Sequence, residues 1–145
     1  MENRFLSRGK RIDNGEWVKG NLIWSNDAEV GYEAIIIPTN DSNMYTKGGS
    51  IGDLGFENWH RVNETTICQC TGLKDKNGKL IWENDIANCM DAECCGYISW
   101  NESEAGFYFN VLLEDGRFEE EHIYDYQDCM EVIGNNFDNP ELLEV

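Results

Sequence analysis

The chain has 145 residues, 41% hydrophobic and 12% aromatic: enough apolar material for one ordinary domain or two small ones, and too much for a disordered chain. Its 28 acidic against 11 basic residues give a net charge of −17, which disfavours direct binding to nucleic acid, because such binders neutralise phosphates with Lys and Arg. No apolar run approaches the roughly 20 residues of a membrane span, and residues 1–8 lack the apolar stretch of a signal peptide, so a cytoplasmic protein without a membrane partner is expected.

In chain order, Asn14-Gly15 falls between Arg11-Ile12 and Trp17-Val18, a dipeptide that favours positive backbone angles at a hairpin tip. Short apolar runs follow at Asn21-Leu22-Ile23-Trp24 and Ala34-Ile35-Ile36-Ile37-Pro38. Residues 40–58, rich in Asn, Ser, Gly and Asp, read as a long loop. Beyond it, Ile67, Gln69 and Thr71 alternate with Cys68 and Cys70, and Asn77-Gly78 separates Leu73 from Leu80-Ile81 in a second hairpin. Gly96-Tyr97-Ile98-Ser99-Trp100 is another strand candidate. Phe107, Phe109, Val111 and Leu113 then share one face of a two-residue alternation, and Glu114-Asp115-Gly116 turns that strand into Arg117-Phe118-Glu119. No window of a dozen residues carries apolar positions at the helical period. The best helical turns are residues 121–129 and 140–143, the latter opening Asn139-Pro140-Glu141 with proline where a first helical residue tolerates it.

The expected fold is mainly β with at most short helices, an α+β arrangement being the alternative. Two small β lobes are expected, 1–60 with the loop at 40–58, and 61–145. In the latter the exit Glu83-Asn84-Asp85-Ile86, the strand at 96–100 and the hairpin at 107–124 follow the pattern of an SH3-like barrel.

The charge is uneven. Residues 101–145 hold thirteen acids against Arg117 alone, and Glu119, Glu120 and Glu121 form the densest run. Such a surface suits a basic partner. Lys74, Lys76 and Lys79 around the Asn77-Gly78 turn are the compact basic patch, able to dock the acidic surface of a second copy, so a homo-oligomer is expected. Five tryptophans, Trp82 among them, with six Tyr and six Phe, exceed the internal needs of one small barrel and suggest partner contact.

Candidate chemistry is sparse. Glu83 and Asp85, two apart in extended chain, would point to one side and could hold a divalent cation, although Asp also caps turns through its own backbone. Glu119–Glu121 with Asp125 and Asp128 lack the ordered acidic pattern of a calcium loop. His60 and His122 have no neighbouring nucleophile in a recognisable setting. The six cysteines include no C-x-x-C, and Cys68, Cys70, Cys89, Cys94, Cys95 and Cys129 do not reproduce a zinc spacing. Vicinal Cys94-Cys95 sits beside Asp91 and Glu93, which oppose thiolate formation, so inert packing is expected and no cofactor is called for.

Arg8-Gly9-Lys10-Arg11-Ile12-Asp13-Asn14-Gly15-Glu16-Trp17-Val18, then Thr71-Gly72-Leu73-Lys74-Asp75-Lys76-Asn77-Gly78-Lys79 with Trp82-Glu83-Asn84-Asp85-Ile86, then Glu131-Val132-Ile133-Gly134-Asn135 with Asn139-Pro140-Glu141-Leu142-Leu143 closely resemble the YopX family of phage and prophage proteins. Two departures stand out: Cys70 where the family usually has an aromatic residue, and Asn84 where it has glycine. Asn is the non-glycine residue most tolerant of a left-handed backbone, so the turn at 84 is preserved, and Cys70 reads as core.

The resemblance implies a small, largely β protein of bacteriophages or prophages, acting in the bacterial cytoplasm, with no assigned biochemical role. The expected function is therefore a non-enzymatic accessory protein that contacts a host or phage protein. An acidic nucleic-acid mimic blocking a host DNA-binding protein is the first alternative, motivated by the charge of the last 45 residues. A metal-dependent enzyme built on Glu83 and Asp85 is the second.

Overall fold

The computed structural model describes residues 2–26, 33–46 and 54–145. Among the described residues the chain is mostly β, its strands antiparallel and its helical content confined to short 3-10 turns. It divides into two compact units, Phe5–Gln69 and a second made of Met1–Arg4 with Cys70–Val145.

The first unit holds β1 (Ser7–Lys10), β2 (Trp17–Ser25), β3 (Glu33–Pro38), β4 (Met44–Thr46), β5 (Leu54–Phe56) and β6 (His60–Val62). The Asn14-Gly15 hairpin joins β1 to β2 with Lys10 opposite Trp17, and Gly15 supplies the positive φ of 72°. Asn14 does not take a positive φ, and its Oδ1 accepts the Glu16 N–H at 2.9 Å. The loop is therefore wider than the two-residue turn that Asn-Gly suggests, because the side-chain bond stabilises a longer tip. Across β1 and β2 the Trp17 ring carries the Arg8 guanidinium 4.7 Å from its centroid and the Lys10 ammonium at 5.4 Å.

β2 pairs with β3 and β3 with β6, and the sheet curls so that Arg11, just beyond β1, bridges Val62 of β6. Close approach there explains a glycine: a Cβ on Gly9 would lie 3.1 Å from that of Val62. The core inside the curl is small, consisting of Ala34, Ile36 and Val62 with Val18, Leu22 and Ile67 against them. Residues 40–58, expected as a loop, contain a two-stranded ladder: β4 pairs with β5, Met44 opposite Phe56. The Asn- and Ser-rich flanks are its clasp, since Ser42 Oγ donates to the Asn58 carbonyl at 2.7 Å and Asn43 Nδ2 donates to Glu57 at 3.0 Å. Residues 47–53 of that expectation lie outside the described residues.

β7 (Cys68–Lys74) begins in the first unit, where Cys68 and Gln69 pair with β1, and continues into the second. There it meets β8 (Leu80–Trp82), and β9 (Asp85–Cys89), β10 (Cys94–Asn101), β11 (Gly106–Leu112), β12 (Phe118–His122) and β13 (Met130–Asn135) complete the unit. The last five form one sheet in the order β12-β11-β10-β9-β13. The order is open, with β12 and β13 at opposite edges and no pairing between them.

The alternation seen in the sequence governs the packing: Phe109 belongs to a core with Ile81, Ala87, Cys89, Ile98, Ile123, Met130 and Val132, and Phe107 and Val111 on the same face pack against it. Both anticipated helical turns are present, as 3-10 turns at Ile123–Asp125 and Pro140–Leu143.

Candidate functional site

The second unit brings together the side chains that carry most of the polar organisation, beginning with Asp75 in the Asn77-Gly78 turn. Its Oδ1 accepts the N–H groups of Asn77 and Lys79, each at 2.9 Å, and its Oδ2 accepts the Val132 N–H at 3.0 Å. Asp75 is 6% exposed. Burial opposes the charged form, but the amides of Val132, Lys79 and Asn77 and the Lys79 charge outweigh it and hold the pKa below the ordinary aspartate value. Lys76 N–H donates to the Met130 carbonyl at 3.0 Å, so the turn lies along β13 and covers that edge of the sheet. Lys76 Nζ, 3.5 Å from Glu131, adds an ion pair at the surface.

The opposite edge, β12, has no strand beyond it among the described residues. Phe118, Glu119, Glu120 and His122 are exposed and Glu121 half-buried. The register places Glu120 opposite Asn110, and Glu119 and Glu121 opposite Val111 and Phe109, so the three carboxylates alternate between the two faces of the sheet. On the face shared by Glu120 an aromatic row crosses the strands. Phe118 stands edge-on to Tyr97 at 5.0 Å, and His122 lies between Tyr108 and Tyr124 at 4.9 and 5.3 Å. Asn110 supports that face from β11, its Nδ2 donating to Ser99 Oγ at 2.8 Å and to the Tyr97 carbonyl at 3.1 Å.

The other residues singled out from the sequence fall as follows. Lys74, Lys76 and Lys79 are all exposed around the covering turn. Trp82, expected at an interaction surface, is 2% exposed and belongs to the interior, because β8 is short and presses both Ile81 and Trp82 inward. Asp85 is 1% exposed and its Oδ2 accepts the Trp82 N–H at 2.8 Å, closing the Glu83-Asn84 turn. Asn84 has φ 69°, the left-handed value that Asn tolerates best after glycine. No group of three or more Cys, His, Asp or Glu side chains arranged to hold a metal ion occurs among the described residues.

His60 lines a cavity of about 250 Å³ in the first unit with Ile12, Asp13, Trp59 and Arg61. Its carboxylate and one guanidinium are engaged: Asp13 takes a two-point contact from Arg11 at 2.6 and 3.0 Å, and Arg61 pairs with Glu33 at 2.7 Å. Asp75 is the residue that sequence reasoning missed. An aspartate two positions before Asn-Gly signals a turn cap, but nothing nearby reveals its bond to Val132, 57 residues away.

The fold and these surfaces define a small β protein with an edge presented to its surroundings. The family profile described as YopX protein matches residues 8–144, and the chain belongs to that family. The crystal structure of protein EF1440 from Enterococcus faecalis is similar, at 28% sequence identity over 95% of this chain and 96% of that one, with a TM-score of 0.48. The search of curated proteins returned no match.

Proposed function

We propose that the chain is a non-enzymatic phage or prophage accessory protein that acts in the bacterial cytoplasm by binding a basic host or phage protein along β12. The observation that carries this reading is the asymmetry of the second sheet, whose β13 edge is covered by the Asp75 turn while β12 is open and exposed. An extended segment can add to such an edge through main-chain hydrogen bonds. With Glu119 and Glu121 on one face and Glu120 on the other, the matching segment carries Lys or Arg at successive positions. In this reading the lobe is an SH3-like arrangement left open along β12. Self-association fits through the Lys74, Lys76 and Lys79 turn of one copy meeting the acidic strand of another. Pairing β12 with itself would oppose glutamate to glutamate.

The test is capture of binding proteins from a bacterial lysate with the wild-type chain and with a Glu119→Lys, Glu120→Lys, Glu121→Lys variant. Basic proteins retained by the wild type, lost at high salt and lost in the variant without a change in thermal melting, support the reading. Equal retention by both chains would sink it. Sedimentation at low and high salt tests the self-association. The nucleic-acid mimic finds little support in β12, whose three carboxylates are split between the two faces, Glu119 and Glu121 on one and Glu120 on the other. The metal-dependent enzyme finds little in Asp85, which is buried and bonded to its own turn.

A further inference from the structure

Cys89 and Cys94 are direct partners across the β9–β10 ladder and close the exposed turn at residues 90–93. Opposed residues of an antiparallel pair lie about 4.5–5.5 Å apart at Cα, inside the roughly 4.4–6.8 Å that a disulfide spans. A third thiol adjoins them. The Sγ atoms of Cys89 and Cys129 donate to the same Tyr126 carbonyl at 3.4 and 3.3 Å, and Cys129 and Cys94 both lie near enough to Cys89 to add to the rise that burial gives its pKa. All are unbridged; Cys89 is fully buried, whereas Cys94 and Cys129 are half-buried. Cys95, though adjacent in sequence to Cys94, lies opposite Asn88 on the other face of the sheet, so the vicinal pair is divided.

We propose that Cys89 and Cys94 form an oxidation site, converted by peroxide into a disulfide across the β9–β10 ladder. The accessible Cys94 thiolate attacks a peroxide oxygen, breaking the O–O bond and giving a sulfenic acid and hydroxide, which becomes water by taking up the proton that the Cys94 thiol released. The Cys89 sulfur then displaces the sulfenic hydroxyl, the S–S bond forms, and the Cys89 proton leaves in a second water. Two thiols and one hydrogen peroxide become one disulfide and two waters. Burial raises the pKa of both thiols, so the thiolate is scarce at neutral pH and the site responds to sustained exposure.

The experiment treats the full chain with hydrogen peroxide across a pH series, followed by intact mass and by non-reducing peptide mapping with cleavage at Asp91 or Glu93, between the two cysteines. The expected result is loss of two hydrogens and a Cys89–Cys94 bridge reversed by dithiothreitol. Its rate should climb by about tenfold per pH unit while the thiols remain mostly protonated. Cys94→Ala should abolish the bridge, and Cys129→Ala, with its fold checked by thermal melting, should retain it. A bridge between other cysteines, a Cys94 sulfinic acid without a bridge, or six titratable thiols after prolonged treatment would overturn the proposal.

Discussion

The two units use similar antiparallel ladders but hold them together differently. In the first, three buried apolar residues form the core cluster, against eight in the second, and Trp24, Met44, Leu54 and Trp59 remain 50% or more exposed. The second adds buried polar anchors, Asp75 above all, that tie turns to distant strands. Apolar burial stabilises by about 25 cal/mol per Å², so a small core leaves the first unit leaning on its main-chain ladder and surface clasps. Stability in such a unit is local, whereas an anchored core fails as a whole.

The largest expected effect comes from Phe109→Ala, which empties the centre of the larger core and should cost about 3–5 kcal/mol. Denaturant unfolding measures it, and a loss near 1 kcal/mol would mean that the anchors rather than the core dominate. Asp75→Ala leaves three N–H groups without their acceptor and should cost about 3 kcal/mol.

The same group sets a pH dependence. Its folded pKa lies below the unfolded value of about 3.9, so its contribution is present above that pH and is lost as pH falls through the folded pKa. Asp75→Asn should flatten the acid limb of a stability–pH profile; an unchanged limb would refute the assignment.

A matched pair of glycines comes next. A Cβ on Gly20 would fall 2.0 Å from the Ile37 carbonyl oxygen, and one on Gly96 2.1 Å from that of Asn110. Each alanine variant should therefore cost about 1–3 kcal/mol through displaced backbone. Hydrogen exchange should show Gly20→Ala loosening β2 and β3 alone, and Gly96→Ala lowering protection across the five-stranded sheet. Identical exchange patterns would erase the distinction between the units. The smallest effect belongs to Asp13→Asn, which removes a solvent-exposed ion pair with Arg11 and should leave the melting temperature unchanged within error.

Much of the architecture was legible because glycine and alternation are local signals. Gly15, Gly78 and Gly116 all take positive φ where hairpin tips were expected, and the Phe107, Phe109, Val111 face is the core face. The turns themselves were less legible: Asn14 and Asn77 do not adopt positive φ, because Asn14 Oδ1 and Asp75 Oδ1 bond nearby amides and widen each tip. The β4–β5 ladder hid behind polar residues that looked like loop and serve as clasps. Trp82 read as surface because one tryptophan in a three-residue strand carries no periodicity, and the covering of β13 depends on a contact 57 residues long. The juxtaposition of Cys89 with Cys129 was invisible for the same reason: strand order, not spacing, creates it.

The turn lying along β13 also sets the stoichiometry that the proposed binding would have. With one flank met by Asp75 and Lys76, the five-stranded sheet is open to extension along β12 alone, so under the proposed binding each copy would accept one guest strand and growth would end there. A sheet open on both sides invites open-ended stacking into fibres, whereas one open on a single side would act as a terminator and limit assembly to discrete complexes.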